Sequence, residues 1–253
     1  MRFSKWHALG NSYLLVERAE LPAALEPERV RELCSGEADG LLEIVATDGA
    51  RAEVVIWNPD GSQAELSGNG SRIVARWLAE RSDQNPVCVA VGAREVVARI
   101  SGETIETELG EVEVGEMETI DVGAELLELT PVSLGNPHAV IRRNPTREDL
   151  LRLGPLVERH PRFPERTNVQ LVGVEGPREL GVVVWERGVG ETSASGTSAA
   201  AAAGAAVAGG WCEAPVAVRM PGGVLRVDLD DAYRAIVSGP AELVWERELA
   251  NPL

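Results

Sequence analysis

Lysine is nearly absent: Lys5 is the only one among 24 basic residues. A pyridoxal enzyme needs a lysine for its Schiff base. Lys5 falls in an expected first strand with no phosphate-cradling loop beside it, so that cofactor is excluded and none is expected. Cysteine is scarce too. Cys34, Cys88 and Cys212 are odd in number and far apart, which argues against a disulfide framework or a paired-cysteine zinc site. His7, His138 and His160 are as dispersed, so no metal is expected. Long apolar runs are missing: the longest, Ala199–Ala208, holds Gly204 and reaches about half a membrane span. The first residues carry no signal-peptide core, so a cytoplasmic protein without a membrane partner is expected. Positive charge is outweighed, with a net −16 and a pI near 4.7. Such a surface repels phosphate backbones and speaks against nucleic acid as a partner; the acidity itself serves solubility.

What the chain does have is a repeat. Trp57 precedes the pair Ser67-Gly68 by ten residues, and Trp185 precedes Ser195-Gly196 by the same spacing. Each Ser-Gly opens a small-residue turn that runs into a helical pattern. Leu9-Gly10-Asn11 and Leu134-Gly135-Asn136 form a second matched pair. Both offsets are close to half of the 253 residues, which predicts two copies of one unit, each presenting a helix N-terminus and a hydroxyl to a shared cleft.

Short β-rich runs bounded by Gly, Pro, Asn or Asp dominate both halves. Strands are expected at Arg2–Trp6, Tyr13–Glu17, Leu42–Thr47, Glu53–Trp57, Val87–Val91, Glu95–Ile100 and Thr104–Leu109. In the second half they are expected at Ala139–Arg142, Val169–Val174, Gly181–Trp185, Val216–Met220, Leu225–Asp228, Ala235–Ser238 and Glu242–Trp245. Helices are expected at Glu28–Cys34, Arg72–Arg81, Arg147–Leu153, Leu156–His160 and Thr197–Ala208. The last has alanine on nearly every side and should lie buried in the middle of its domain. The strands do not alternate regularly with long helices as a doubly wound fold requires. The expectation is therefore an α+β protein of two similar mixed-sheet domains, each wrapped around a central helix and related by pseudo-two-fold symmetry. They are assigned to residues 1–118 and 119–253, with the junction in 115–122. It is left open that the last strand, about 241–247, packs on the first domain.

A Gly-rich turn before a helix points backbone N–H groups and the positive dipole end outward, which suits a carboxylate or phosphate. One such turn is commonly no more than a Ser N-cap; two at matching positions argue for a site. Asn11, Asn58, Asn69, Asn136 and Asn168 stand beside turns or strand ends. Singly each reads as a turn former, together as a polar net for an amino-acid head group. Arg187 would supply a bidentate partner for a carboxylate, although Glu186-Arg187 also reads as a surface ion pair. Ala194–Ala199 resembles the Gly-Thr-Ser turn of subtilisin-like proteases, but the segments that would carry the histidine and aspartate of a triad are missing.

The residues Lys5-Trp6-His7-Ala8-Leu9-Gly10-Asn11, Trp57-Asn58-Pro59-Asp60-Gly61-Ser62, Gly135-Asn136-Pro137-His138-Ala139-Val140, Thr167-Asn168-Val169 and Trp185-Glu186-Arg187-Gly188 occur in order along nearly the whole chain. With Gly190-Glu191-Thr192 and Pro221-Gly222-Gly223, they make the chain resemble diaminopimelate epimerase, a pyridoxal-independent isomerase of lysine and cell-wall biosynthesis. In that family the two helix-leading pairs are Cys-Gly, and the two cysteines remove and return the α-proton on opposite faces of the substrate. Here both positions are serine, Ser67 and Ser195. A thiol is readily tuned to a thiolate at a helix N-terminus, whereas an aliphatic hydroxyl needs an activating partner. Ser12 and Tyr13 stand where the family usually has Asp and Phe.

The resemblance implies interconversion of LL- and meso-2,6-diaminopimelate, with Ser67 and Ser195 at the acid/base positions and activity weakened by the exchange of thiols for hydroxyls. Gly68-Asn69 and Gly196-Thr197 would hold the reacting α-carboxylate. Asn58, Asn168 and Arg187 would hold the distal carboxylate and Glu186 an ammonium, while Asn11, Asn136 and His138 complete the wall. The implied partner is a small amino-acid substrate, and a homodimer stays open. Two alternatives remain at this stage: a catalytically silent amino-acid binder, natural or made by paired substitution to trap substrate, and a related racemase for another amino acid.

Overall fold

The computed structural model describes residues 2–123 and 125–248. The chain divides into two units, Met1–Thr107 with Gly239–Leu253, and Glu108–Ser238. In the first, β1 (Arg2–Ala8) and β2 (Asn11–Glu17) form an antiparallel hairpin. Its turn places Leu9 and Gly10 at φ 51° and 83°, the left-handed region in which glycine is at no disadvantage. Helix α1 (Pro27–Cys34) carries the chain to β3 (Leu41–Asp48), parallel to β2. A second hairpin leads to β4 (Arg51–Trp57) and the short β5 (Gln63–Ala64). Helix α2 (Gly68–Ser82) crosses to β6 (Val87–Val91), parallel to β4, and β7 (Arg94–Ser101) and β8 (Thr104–Glu111) follow as an antiparallel meander.

The second unit repeats this order after two short strands, β9 (Glu113–Val114) and β10 (Glu118–Asp121). The hairpin is now β11 (Leu126–Ser133) with β12 (Pro137–Arg142). Helix α3 (Arg147–Glu158) leads to the parallel β13 (Asn168–Gly176), paired in turn with β14 (Glu179–Glu186) and β15 (Gly190–Thr192). Helix α4 (Gly196–Ala208) crosses to β16 (Val216–Met220), parallel to β14, and the meander ends in β17 (Gly223–Leu229) and β18 (Arg234–Pro240). The last strand, β19 (Glu242–Glu248), runs antiparallel to β1 in the first unit. This is the two-unit α+β mixed-sheet architecture expected from the repeat.

The central helices reach burial by different chemistry. In α2, Ile73, Val74, Trp77 and Leu78 recur at helical spacing and enter a cluster with Trp6, Leu42, Val54 and Val89. In α4 every position from Gly196 to Ala206 is buried, and the small side chains let strands close in on all sides. A Cβ added at Gly204 would stand 2.7 Å from Val112 Cγ1.

Two local expectations are corrected. A single helix, α3, replaces the two predicted at Arg147–Leu153 and Leu156–His160. Pro155 removes one helical hydrogen bond, to the carbonyl of Leu151, but Leu151 is 42% exposed and water can satisfy that group. Helix α2 begins at Gly68 rather than Arg72, because the Ser67 cap holds a Gly-Asn-Gly turn that has little helix propensity of its own. The stretch 115–122 lies inside the second unit and contains β10.

Candidate active site

In the first unit, Ser67 leaves its strand-like backbone (φ −135°, ψ 118°) to cap α2, and its Oγ accepts the Gly70 N–H at 3.0 Å. The same oxygen lies 3.0 Å from the Tyr13 hydroxyl, brought there by β2. Ser67 is half-buried and Tyr13 is 9% exposed. One turn into the helix, Arg72 is fully buried. Its Nη2 donates to Asn69 Oδ1, while Nε and Nη1 have no hydrogen-bond partner among the described residues. Loss of hydration pushes the guanidinium down to about 10, and the opposing pull comes from Tyr13. Asn58 opens a tight turn and donates from Nδ2 to Ser62 Oγ at 2.9 Å. Asn11 begins β2 and is half-buried.

In the second unit, Ser195 takes the equivalent place before α4 (φ −146°, ψ 125°). Its cap bond is looser, with Ser198 N–H 3.5 Å from Ser195 Oγ, and Thr197 Oγ1 is also 3.5 Å away. Glu186 ends β14; burial pushes its carboxyl pKa up, and the nearby Ser195 hydroxyl pulls the other way. Asn168 clips two elements together: its Oδ1 accepts the Arg187 amide at 3.0 Å, and its Nδ2 donates to the Pro137 carbonyl at 3.0 Å. The Arg187 side chain reaches the Glu165 carbonyl at 3.4 Å. His138 is fully buried between Asn136 Oδ1 at 3.2 Å and Gln170 Nε2 at 3.0 Å. Burial, with the Arg187 charge adding to it, drives His138 down to about 3. It is therefore a neutral imidazole that accepts from Gln170 and donates to Asn136. Gln170 also donates to Ser198, at 3.0 Å. Asn136 and His138 contribute to an open groove of about 540 Å³ whose other walls include Phe163 and Glu165.

Of the expected site residues, Gly68 and Asn69 follow Ser67 in the first turn of α2, Asn11 begins the strand that carries Tyr13, and Asn58 follows β4. In the second unit Gly196 and Thr197 follow Ser195, Asn168 ties Arg187 to Pro137, Glu186 ends β14, and Asn136 and His138 connect through Gln170 to Ser198. Sequence reasoning missed Tyr13, Arg72 and Gln170. It also missed the carboxylates that anchor the paired tryptophans. Trp57 Nε1 donates to Glu43 Oε2 at 3.0 Å, and Trp185 Nε1 to Glu158 Oε2 at 2.8 Å. Both glutamates are nearly fully buried. Glu158 also takes the Gly188 amide at 2.9 Å, fixing the turn after Arg187. The repeated Trp was visible in the sequence, but its partners sit on non-equivalent elements, β3 and α3, and had no shared spacing to reveal them. The remaining thiols offer no substitute base: burial pushes Cys34 up to about 11 and raises Cys88 and Cys212.

The sequence pattern of the family described as diaminopimelate epimerase matches residues 3–119 and 130–244. The chain belongs to the diaminopimelate epimerase family. A diaminopimelate epimerase of Desulfitobacterium hafniense is 36% identical, over 97% of each chain. One from Desulforudis audaxviator is 37% identical, over 97% of this chain and 98% of its own. Among solved structures, a predicted epimerase from Pseudomonas aeruginosa superposes with a TM-score of 0.77 at 18% identity, covering 99% of both chains. A hydroxyproline epimerase from Agrobacterium vitis gives 0.70 at 15%, over 98% of this chain and 91% of that one. At that identity the structures share the fold. Among the described residues, no helix is long and apolar enough to cross a membrane.

Proposed function

We propose that the chain interconverts LL- and meso-diaminopimelate in the cytoplasm, with Ser67 and Ser195 as its proton-transfer residues. The observation that carries this reading is that each serine caps a helix with a second proton-carrying side chain at hand: the Tyr13 hydroxyl lies 3.0 Å from Ser67 Oγ, and the Glu186 carboxyl is near enough to Ser195 to feel its hydroxyl. A hydroxyl alone is a poor acid or base, and a partner is what activates it. The amides of Gly68-Asn69 and Gly196-Thr197 would receive the α-carboxylate at the two positive helix ends. Asn58 and Arg187 would receive the distal carboxylate, with Asn168 holding the Arg187 backbone. Asn11, Asn136 and His138 complete the wall, His138 as a neutral donor and acceptor. Burial raises the Glu186 pKa, and an arriving ammonium would favour its carboxylate form.

Calorimetry and turnover test the reading together. LL-diaminopimelate should bind the parent protein and be converted to the meso form. Arg187→Ala should weaken binding by on the order of 2–5 kcal/mol, the cost of leaving a buried carboxylate unpaired. Binding without conversion would make the chain a silent binder, and unchanged affinity in Arg187→Ala would remove Arg187 from the distal-carboxylate site.

A further inference from the structure

Arg72 is hard to explain as structure. A guanidinium wholly out of water costs several kcal/mol unless it is paired. Here it has one hydrogen bond, to an amide oxygen, and two nitrogens without a partner among the described residues. Apolar side chains of similar volume would fill the space as well or better. The same short segment brings the Tyr13 hydroxyl to 3.0 Å from Ser67 Oγ. Tyr13 is the group whose negative charge would favour ionised Arg72. Trp6 lies opposite Tyr13 on β1, and the phenol ring crowds Gly40, where an added Cβ would meet Tyr13 Cε1 at 2.7 Å. Asp39, the carboxylate of that loop, is engaged by the Ser12 amide at 2.7 Å.

We propose that Tyr13 is the proton relay of Ser67, and that the unpaired Arg72 is the countercharge that lets the phenol give up its proton. This rests on Ser67 being one of the two proton-transfer groups. In the step, the Ser67 oxygen takes the α-proton while the Ser67 hydroxyl proton passes to the Tyr13 phenolate. The electron pair of the broken C–H bond stays on the substrate, spread into its carboxyl group. Tyr13 ends as a neutral phenol and Ser67 as a hydroxyl, and the reverse flow restores both. Through the step Ser67 Oγ keeps the Gly70 N–H, which steadies the negative charge that develops on it. Tyr13 touches Ser67 rather than the substrate, so it is a positioning and relay residue.

Two measurements test this. The chain has 2 tyrosines, so in Tyr233→Phe the only phenol left is Tyr13. Ultraviolet difference titration of that protein should show phenolate forming below the ordinary pKa of about 10, and adding Arg72→Met should move it upward. Phenolate forming at about 10 or above in Tyr233→Phe overturns the relay, whatever the substrate. The second measurement is solvent deuterium exchange at Cα of diaminopimelate. Tyr13→Phe should lower kcat for exchange by about 100-fold or more, the usual range for a lost acid/base partner, with KM little changed. In a Ser67→Cys background, where a thiol needs no phenol, the loss should shrink to within about 3-fold. Equal losses in both backgrounds would make Tyr13 merely structural and overturn the proposal. If Tyr13 ionises early and the protein ignores diaminopimelate, the substrate assignment fails while the relay stands.

Discussion

The turns at Ser67 and Ser195 share a backbone and differ in electrostatics. Both serines cap a helix from extended dihedrals, ten residues after a tryptophan whose indole is tied to a buried glutamate. Around Ser67, however, the second partner is a phenol near an uncompensated buried cation. Near Ser195 it is the Glu186 carboxyl, whose pKa burial raises. A buried cation nearby favours the deprotonated form of such a group, and burial of a carboxyl favours its protonated form. The two turns thus share one helix cap, and the strands that flank each copy give it different electrostatic surroundings. The helices behind the turns diverge in the same way. Helix α2 carries Trp77 and a polar face with Arg76 paired to Glu80 at 2.7 Å, while α4 is small-residue and buried all round.

The comparison can be broken at several strengths. The largest effect is expected at the hydroxyls: Ser67→Ala and Ser195→Ala should each reduce epimerisation by about 1,000-fold or more. Measured in the LL→meso and meso→LL directions, residual Cα exchange should be unequal between the two variants. Equal residual exchange in both would mean that the two serines are electrostatically equivalent. Next is the packing contrast. Gly204→Val should cost α4 about 3 kcal/mol or more in chemical denaturation, since its Cβ already meets Val112 at 2.7 Å. On the exposed face of α2, Arg76→Ala should cost less than about 1 kcal/mol.

A smaller effect should appear with pH. His138 is held near 3 in the folded protein, against about 6.5 when unfolded. The unfolded chain therefore binds an extra proton below about 6.5, and stability from this group is full above that pH and lost as pH falls toward 3. Between pH 7.5 and 5 the parent should lose about 2 kcal/mol more than His138→Gln. A parallel loss in both would mean that His138 titrates normally. The smallest effect is at Arg147, 70% exposed, whose fork binds Glu191 at 2.8 Å. Arg147→Ala should change stability by less than about 1 kcal/mol, because solvent and salt screen such pairs.

Much of this architecture is legible in the residues. The Trp-to-Ser-Gly spacing located both capped helices, and the run of alanines from Ala199 identified α4 as the buried centre of its unit. What escaped are features set by the third dimension. Pro155 marks a helix break by its chemistry, yet α3 runs through it with an exposed carbonyl at Leu151. Leu126–Ser133 forms β11 only in partnership with β9, β10 and β12. Tyr13 read as the start of a strand, and Arg72 as the start of a helix. Their meeting with Ser67 depends on β2 lying under the α2 cap, 54 residues away in sequence. Glu186 was expected to serve the substrate ammonium, and the effect of the Ser195 hydroxyl on its carboxyl is set by the fold rather than by sequence spacing.

The most direct test is the fate of deuterium when the unmodified protein converts LL-diaminopimelate in heavy water. Two distinct proton-transfer groups, one on each face, predict that early in the reaction the meso product carries one deuterium at the inverted carbon while the remaining LL substrate stays unlabelled. Equal early labelling of substrate and product would contradict the account, because a single group would then be removing and returning the proton.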